Sequence, residues 1–217
     1  MQCFNDTDRP SDERRCFTDC IDVFDRTTKT EITAICTATK KTCVLDPLPA
    51  NQLTDNITSI VPAITRITNA SLDEGVMPNS LKHAIVRPLL KKPSLDKDTL
   101  SSYRPVSNLT QLSKVIEKVV ALRIMTHVSD QQMVECFQSA YRKNHSTETA
   151  LLCVTSAVKT AMDTNQGTIL LLVDLSSAFD TINHNILIRR LRLRYGFVGK
   201  TLHWVISHLK YKRGRRE

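Results

Sequence analysis

Residues 168–175 read T-I-L-L-L-V-D-L, an almost continuous apolar run of strand length that carries a carboxylate, Asp174, near its end. A run without polar alternation suits a strand buried on both faces, which needs strands beside it and cover above and below. A charge in such a strand is costly unless the strand's end opens on a cleft where the carboxylate is solvated, paired or bound to metal. Asp174 is therefore the first candidate functional residue. The blander reading is an aspartate that caps a neighbouring loop.

The rest of the chain reads mostly as helix. Residues 1–30 mix charge and Thr with scattered apolar positions (Cys16, Phe17, Ile21, Val23, Phe24), enough for one short amphipathic helix at most. Pro47 and Pro49 then force an extended turn. From Leu53, the residues Ile57, Ile60, Val61, Ile64 and Ile67 recur at helical spacing, predicting one or two core helices with a break or kink at Pro62 and a stop at Gly75. Ala84 to Leu90 is short, apolar and interrupted by Pro88, as an edge strand would be, and a polar loop follows to Ser102. Core helices are expected through Leu112, Val115, Ile116, Val119 and Leu122, and again through Leu151, Val154, Val158 and Ala161 with Ser146 as N-cap. Beyond the apolar run, one basic helix should end at Gly196 and another should use Leu202, Val205, Ile206 and Leu209. The class is α+β, rich in helix.

Charge is distributed unevenly. The 217 residues carry a formal net charge of +8, yet residues 189–217 hold ten Lys or Arg against Glu217 alone, and the remainder is almost neutral. Seven cysteines, no opening signal peptide and no apolar run near the roughly 18–20 residues that span a bilayer predict an intracellular protein, cytoplasmic or nuclear, neither secreted nor membrane-bound. The spacing of Cys16, Cys20, Cys36 and Cys43 is not that of a zinc knuckle, so ordinary thiols are expected.

Around Asp174 the sequence V-D-L-S-S-A-F-D-T-I-N-H, Val173 to His184, resembles motif A of reverse transcriptases, especially those of non-LTR (LINE-like) retrotransposons. The resemblance implies that Asp174 and the backbone carbonyl of Leu175 coordinate catalytic Mg²⁺. It also implies that Phe179 lies under the sugar and excludes a ribose 2′-OH, so the substrate is a deoxynucleotide. Such a site suits nucleotidyl transfer, where two divalent ions about 4 Å apart activate the attacking and leaving oxygens. Asp180 gains no chemical role from the motif; a structural hydrogen bond to the following turn is expected of it.

Upstream, P-N-S-L-K-H-A-I-V-R-P-L-L-K-K-P (Pro78 to Pro93) and S-Y-R-P-V-S-N-L (Ser102 to Leu109) resemble the fingers motifs of the same family. They imply that Lys91 or Lys92, together with Arg104, grips the incoming triphosphate. A triphosphate suits this pair, since Arg can hold two phosphate oxygens at once and Lys acts as a point charge. Q-S-A-Y-R-K-N-H-S-T, Gln138 to Thr147, resembles a block that contacts template RNA and makes Arg142 and Lys143 candidate nucleic-acid contacts. Ala140 and Asn144 stand where glycine is common, a departure that could reshape the turn.

The resemblance runs over roughly residues 40–213 and implies the fingers and part of the palm of a right-hand polymerase, with the palm sheet incomplete. The division expected is a poorly ordered segment 1–40, pre-fingers and fingers over 41–165, and partial palm over 166–217. RNA template and DNA primer are the implied partners. A complete member would continue into a Q-G block, a Y-x-D-D hairpin and a thumb, and the chain contains no D-D pair. Only 5 Gly and 5% aromatics also suit a part of a polymerase better than a whole one. The expectation is a fragment of an RNA-directed DNA polymerase, inactive as this chain alone; the alternative is a non-catalytic nucleic-acid-binding remnant or retroelement relic.

Overall fold

The computed structural model describes residues 20–38, 43–174 and 181–210, and the backbone of 214–216. Its elements are α1 (Lys29–Ala38), α2 (Ala50–Asp55), α3 (Ile57–Glu74), β1 (Ala84–Leu90), β2 (Tyr103–Leu109), α4 (Gln111–Asp130), α5 (Thr147–Asp163), α6 (His184–Arg194), α7 (Gly199–Leu209) and β3 (Gly214–Arg216). The fold is thus helix-rich with one small sheet. Two compact units divide it: the described residues of Met1–His127 with His184–Glu217, and those of Val128–Asn183. Among the described residues no helix is long and apolar enough to cross a membrane.

In the first unit α3 buries Val61, Ile64, Thr65, Thr68, Ser71 and Leu72, a stripe at three- and four-residue steps. No break falls at Pro62, which lies inside α3. The break lies at Asn56, between α2 and α3, so that Pro62 enters early in α3. Ile67, counted as core from its spacing, is instead 41% exposed; at 100° per residue the buried stripe reaches Thr68 and Ser71, one position further on. Gly75 ends α3 in the left-handed region (φ 66°), and a Cβ there would lie 2.7 Å from the Lys200 carbonyl oxygen.

Val115, Ile116, Val119 and Val120 of α4 and Trp204 of α7 share one buried cluster with Val61, Ile64 and Leu72 of α3. Trp204 is 3% exposed; its indole N–H donates to Ser71 Oγ at 3.0 Å, and its ring meets Phe24 edge-on and stacks on His208. Lys82, also buried, donates to Asn79 Oδ1 (2.9 Å) and Ser207 Oγ (3.3 Å), and burial holds its pKa below the ordinary lysine value.

The expectation of a poorly ordered segment over 1–40 does not hold for residues 20–38. Phe24, Ile32 and Cys36 are core residues, and α1 is a regular helix. Polar clamps compensate for the weak apolar pattern. Asn69 reads the Thr27 backbone twice, accepting from its N–H (2.8 Å) and donating to its C=O (3.1 Å). Arg123 of α4 forms a two-pronged ion pair with Glu31, at 2.8 and 2.7 Å. Residues 21 and 22 bond the turn between α6 and α7 through Gly196, Val198 and Thr201. Such contacts join residues far apart in the chain, and a local reading of periodicity does not register them.

β1 pairs antiparallel with β2, from Ala84↔Leu109 to Leu90↔Tyr103, and parallel with β3, giving the order β2-β1-β3. The strand expected over 84–90 is β1, and the helices expected to end at Gly196 and to follow it are α6 and α7.

The second unit corrects two expectations. Residues 168–174 are not a buried strand: they lie in no ladder, and Ile169 is 97% and Leu172 84% exposed. A strand cannot satisfy its own backbone groups, and among the described residues none pairs with it. Nor is α5 a core helix. Ser146 caps it in a capping box with Thr149, as expected of its start, but Leu151, Leu152 and Met162 face solvent.

Two outcomes follow for the first unit. Gly199 has φ 47°, and a Cβ on it would overlap the Asp22 carboxylate, so Gly199→Ala should destabilise the chain by at least about 1 kcal/mol in urea denaturation. The hydrogen bond from Arg123 holds the Glu31 carboxyl below its ordinary value of 4.5. The pair's contribution is then present above that value and is lost as pH falls through the lowered folded-state pKa. Wild type should exceed Glu31→Gln by about 2 kcal/mol at neutral pH, and thermal melts should show the gap closing as pH falls below the ordinary 4.5.

Candidate active site

The β1–β2 hairpin collects the cations that the sequence singled out upstream. Leu89 pairs with Arg104 and Arg87 with Val106, and the Lys91 amide extends the ladder by donating to the Ser102 carbonyl at 2.9 Å. Side chains alternate across a sheet, so Arg87, Leu89, Lys91 and Arg104 share one face, with Arg87 and Lys91 diagonal to Arg104 at about 7–8 Å. Lys91, Lys92, Arg104 and Arg87 are all exposed. The Lys91 ammonium folds back to donate to the Ser101 carbonyl at 2.9 Å.

The loop joining the strands is tied to itself. Asp96 accepts from Thr99 Oγ1 (2.6 Å) and the Asp98 amide (3.0 Å), bonds that hold its carboxyl below the ordinary aspartate range. The Tyr103 hydroxyl donates to the Lys97 carbonyl at 2.9 Å.

At its base the hairpin is anchored by residues that sequence reasoning did not single out. Ala84, Ile85 and Leu109 are buried. One carboxylate, Asp46, accepts from the amides of Cys43 (2.7 Å) and Gln111 (2.6 Å), so the turn at 43–49 is locked to the start of α4. Asp46 lies between Leu45 and Pro47 in the turn already marked by prolines, but its partner is 65 residues away. The signal that would have found Arg87 is its two-residue step to Leu89 and Lys91 along one strand face.

In the second unit Arg142 is half-buried and turns inward, Nη1 donating to the carbonyls of Gln138 (3.2 Å) and Glu135 (3.5 Å), while Lys143 is exposed. Asn144, where glycine is common in the resembled block, takes the left-handed backbone (φ 63°) that asparagine tolerates better than most residues. Asp174 is exposed at the end of the unpaired segment 168–174. Leu175, Phe179 and Asp180 lie outside the described residues. Among the described residues no three His, Cys, Asp or Glu side chains come together as a metal site would require. One exposed carboxylate does not fit a Mg²⁺ pair by itself.

A family model described as reverse transcriptase (RNA-dependent DNA polymerase) matches residues 90–213. The chain is 31% identical over 121 residues to the probable RNA-directed DNA polymerase from transposon X-element of Drosophila melanogaster, covering 56% of this chain and 13% of that protein. It is 29% identical over 126 residues to the probable polymerase from transposon BS of the same species, covering 58% and 14%. With the RNA-directed DNA polymerase from mobile element jockey it shares 28% over 146 residues, 64% and 16%. The chain belongs to the reverse transcriptase family, with relatives among the polymerases of non-LTR elements. The matches span 13–16% of these curated relatives' length.

The hairpin's exposed tip and buried base should respond differently to mutation. Asp46→Ala leaves two buried amides short of an acceptor and should cost about 1–3 kcal/mol in urea denaturation. Lys92→Ala and Arg104→Ala, at exposed sites, should stay within about 0.5 kcal/mol of wild type.

Proposed function

We propose that this chain supplies the triphosphate-gripping fingers hairpin and the first metal-binding aspartate of an RNA-directed DNA polymerase. The reaction is nucleotidyl transfer from deoxynucleoside triphosphates to a primer 3′-OH on an RNA template. The observation that carries this reading is the placement of Lys91 and Arg104 on one exposed face of the β1–β2 hairpin, inside the residues matched by the family model.

A triphosphate carries about four negative charges, and a fork of guanidinium donors beside an ammonium suits it. Lys92 is the second lysine at the hairpin's tip, and the Lys91 ammonium would leave the Ser101 carbonyl for phosphate or keep one donor there. Pre-fingers and fingers extend over 41–165 and partial palm over 166–217 in this reading. Arg142 and Lys143 belong to the template side and Phe179 to the sugar. Mg²⁺ is part of it, with Asp174 and the Leu175 carbonyl as two ligands. The chain contains no D-D pair, so no extension is expected from this chain alone.

The test is titration of the chain with a fluorescent deoxynucleoside triphosphate. Arg104→Ala should weaken binding by about tenfold, the worth of one charge-assisted contact, and Lys91→Ala and Lys92→Ala report which lysine shares the load. Binding that is indifferent to Arg104 counts against the assignment. Primer extension abolished by Asp174→Asn would show instead that this chain is catalytic unaided.

A further inference from the structure

The loop that follows β1 opens K-K-P-S-L, Lys91 to Leu95, and residues 91–94 are all exposed. The Leu95 amide donates to the Lys92 carbonyl at 3.1 Å, closing a turn with Pro93 at its second position, where a fixed φ is favoured, and Ser94 at its third. The Ser94 hydroxyl makes no hydrogen bond among the described residues. Neighbouring hydroxyls differ from it. Thr99 Oγ1 donates to Asp96 (2.6 Å), Ser102 is buried, and exposed Ser101 has Asp98 rather than a cation three residues before it. In the second unit Ser146 also follows a lysine, Lys143, by three residues, but it caps α5: its hydroxyl donates to Glu148 Oε2 (2.7 Å) and accepts from the Thr149 amide (3.3 Å).

The two lysines before Ser94 are held differently. The Lys91 ammonium donates to the Ser101 carbonyl, while that of Lys92 makes no hydrogen bond or ion pair among the described residues. Two cations before an exposed serine and an apolar residue after it suit a protein kinase whose substrate cleft is lined with carboxylates, because charge pattern decides which substrates such an enzyme accepts. A phosphate on Ser94 would put about two negative charges in the same turn as Lys92.

We propose that Ser94 is a phosphorylation site for a kinase that selects basic substrates, and that its phosphate pairs with Lys92 and takes that cation from the nucleotide. This rests on the hairpin reading above and adds a means of regulating it. In the step, Ser94 Oγ attacks the γ-phosphorus of a nucleoside triphosphate held by the kinase. The Oγ–P bond forms, the bond from that phosphorus to the β,γ-bridging oxygen breaks, nucleoside diphosphate leaves, and the hydroxyl proton passes to the kinase's base. The modification then acts through charge, opposing an incoming polyanion and neutralising an ammonium that would hold it.

The experiment treats this chain with the catalytic subunit of the cyclic-AMP-dependent protein kinase and ATP, and maps the product by tandem mass spectrometry. Ser94 should take up close to one phosphate per chain while Ser146 stays unmodified. Lys91→Ala and Lys92→Ala should each slow that uptake by about tenfold, the worth of one charge-assisted contact. Phosphorus NMR should show the second ionisation of the phosphate below its ordinary value of about 6, returning towards it when Lys92→Ala carries the phosphate. After ATP is removed, titration with the fluorescent deoxynucleoside triphosphate should find the phosphorylated chain at least about tenfold weaker than the untreated one, and Ser94→Ala the same before and after treatment. No phosphate on Ser94, an ionisation indifferent to Lys92, or equal nucleotide affinity with and without the phosphate would overturn the proposal. The mass and NMR readings need no nucleotide binding, so an untreated chain that ignores the triphosphate counts against the hairpin reading and leaves those two readings to decide the site.

Discussion

The first unit depends on the burial of Trp204. One indole from α7 touches Phe24, stacks on His208 and donates to Ser71 of α3. Ser71 in turn donates to the Val76 carbonyl just past the end of α3, so the indole also steadies the point where the chain leaves that helix. A large ring with one polar atom is favourable inside only when both its surface and its N–H are satisfied. Ser71 meets the second condition, and the stripes of α3 and α4 meet the first.

From that core the β1–β2 hairpin takes its position. Ala84, Ile85 and Leu109 are buried, and Ser113 Oγ of α4 donates to the Leu81 carbonyl (2.6 Å) just before β1. Asp46 fixes the approach from the other side. Towards the tip Leu89, Lys91, Lys92 and Arg104 are exposed. A rigid base and a solvated tip suit a clamp on a small polyanion.

Much of the candidate site could be read from residues alone because its parts are local. Arg104 and the two lysines stand in short motifs, and the strand that sets their face has a two-residue period. The apolar run before Asp174 read as a strand from its length and continuous apolar character, yet the structure leaves it unpaired and exposed. Periodicity reports what a segment could do with neighbours; it does not report whether the neighbours are there. Arg142 shows a limit of another kind, since its bonds to the Gln138 and Glu135 carbonyls depend on the turn between them and are not written in residue spacing.

The sequence by itself determined the family, the helices α3, α4, α6 and α7 with the glycine stops at Gly75 and Gly196, the edge strand β1, and the candidate residues, because each is written in short-range spacing. Only tertiary structure decided that residues 20–38 belong to a core, that Asp46 and Asn69 act as clamps, that Arg87, Lys91 and Arg104 share a face, and that α5 exposes its leucines. Those outcomes turn on partners as much as 133 residues apart, as between Ser71 and Trp204, and burial is a property of the pair.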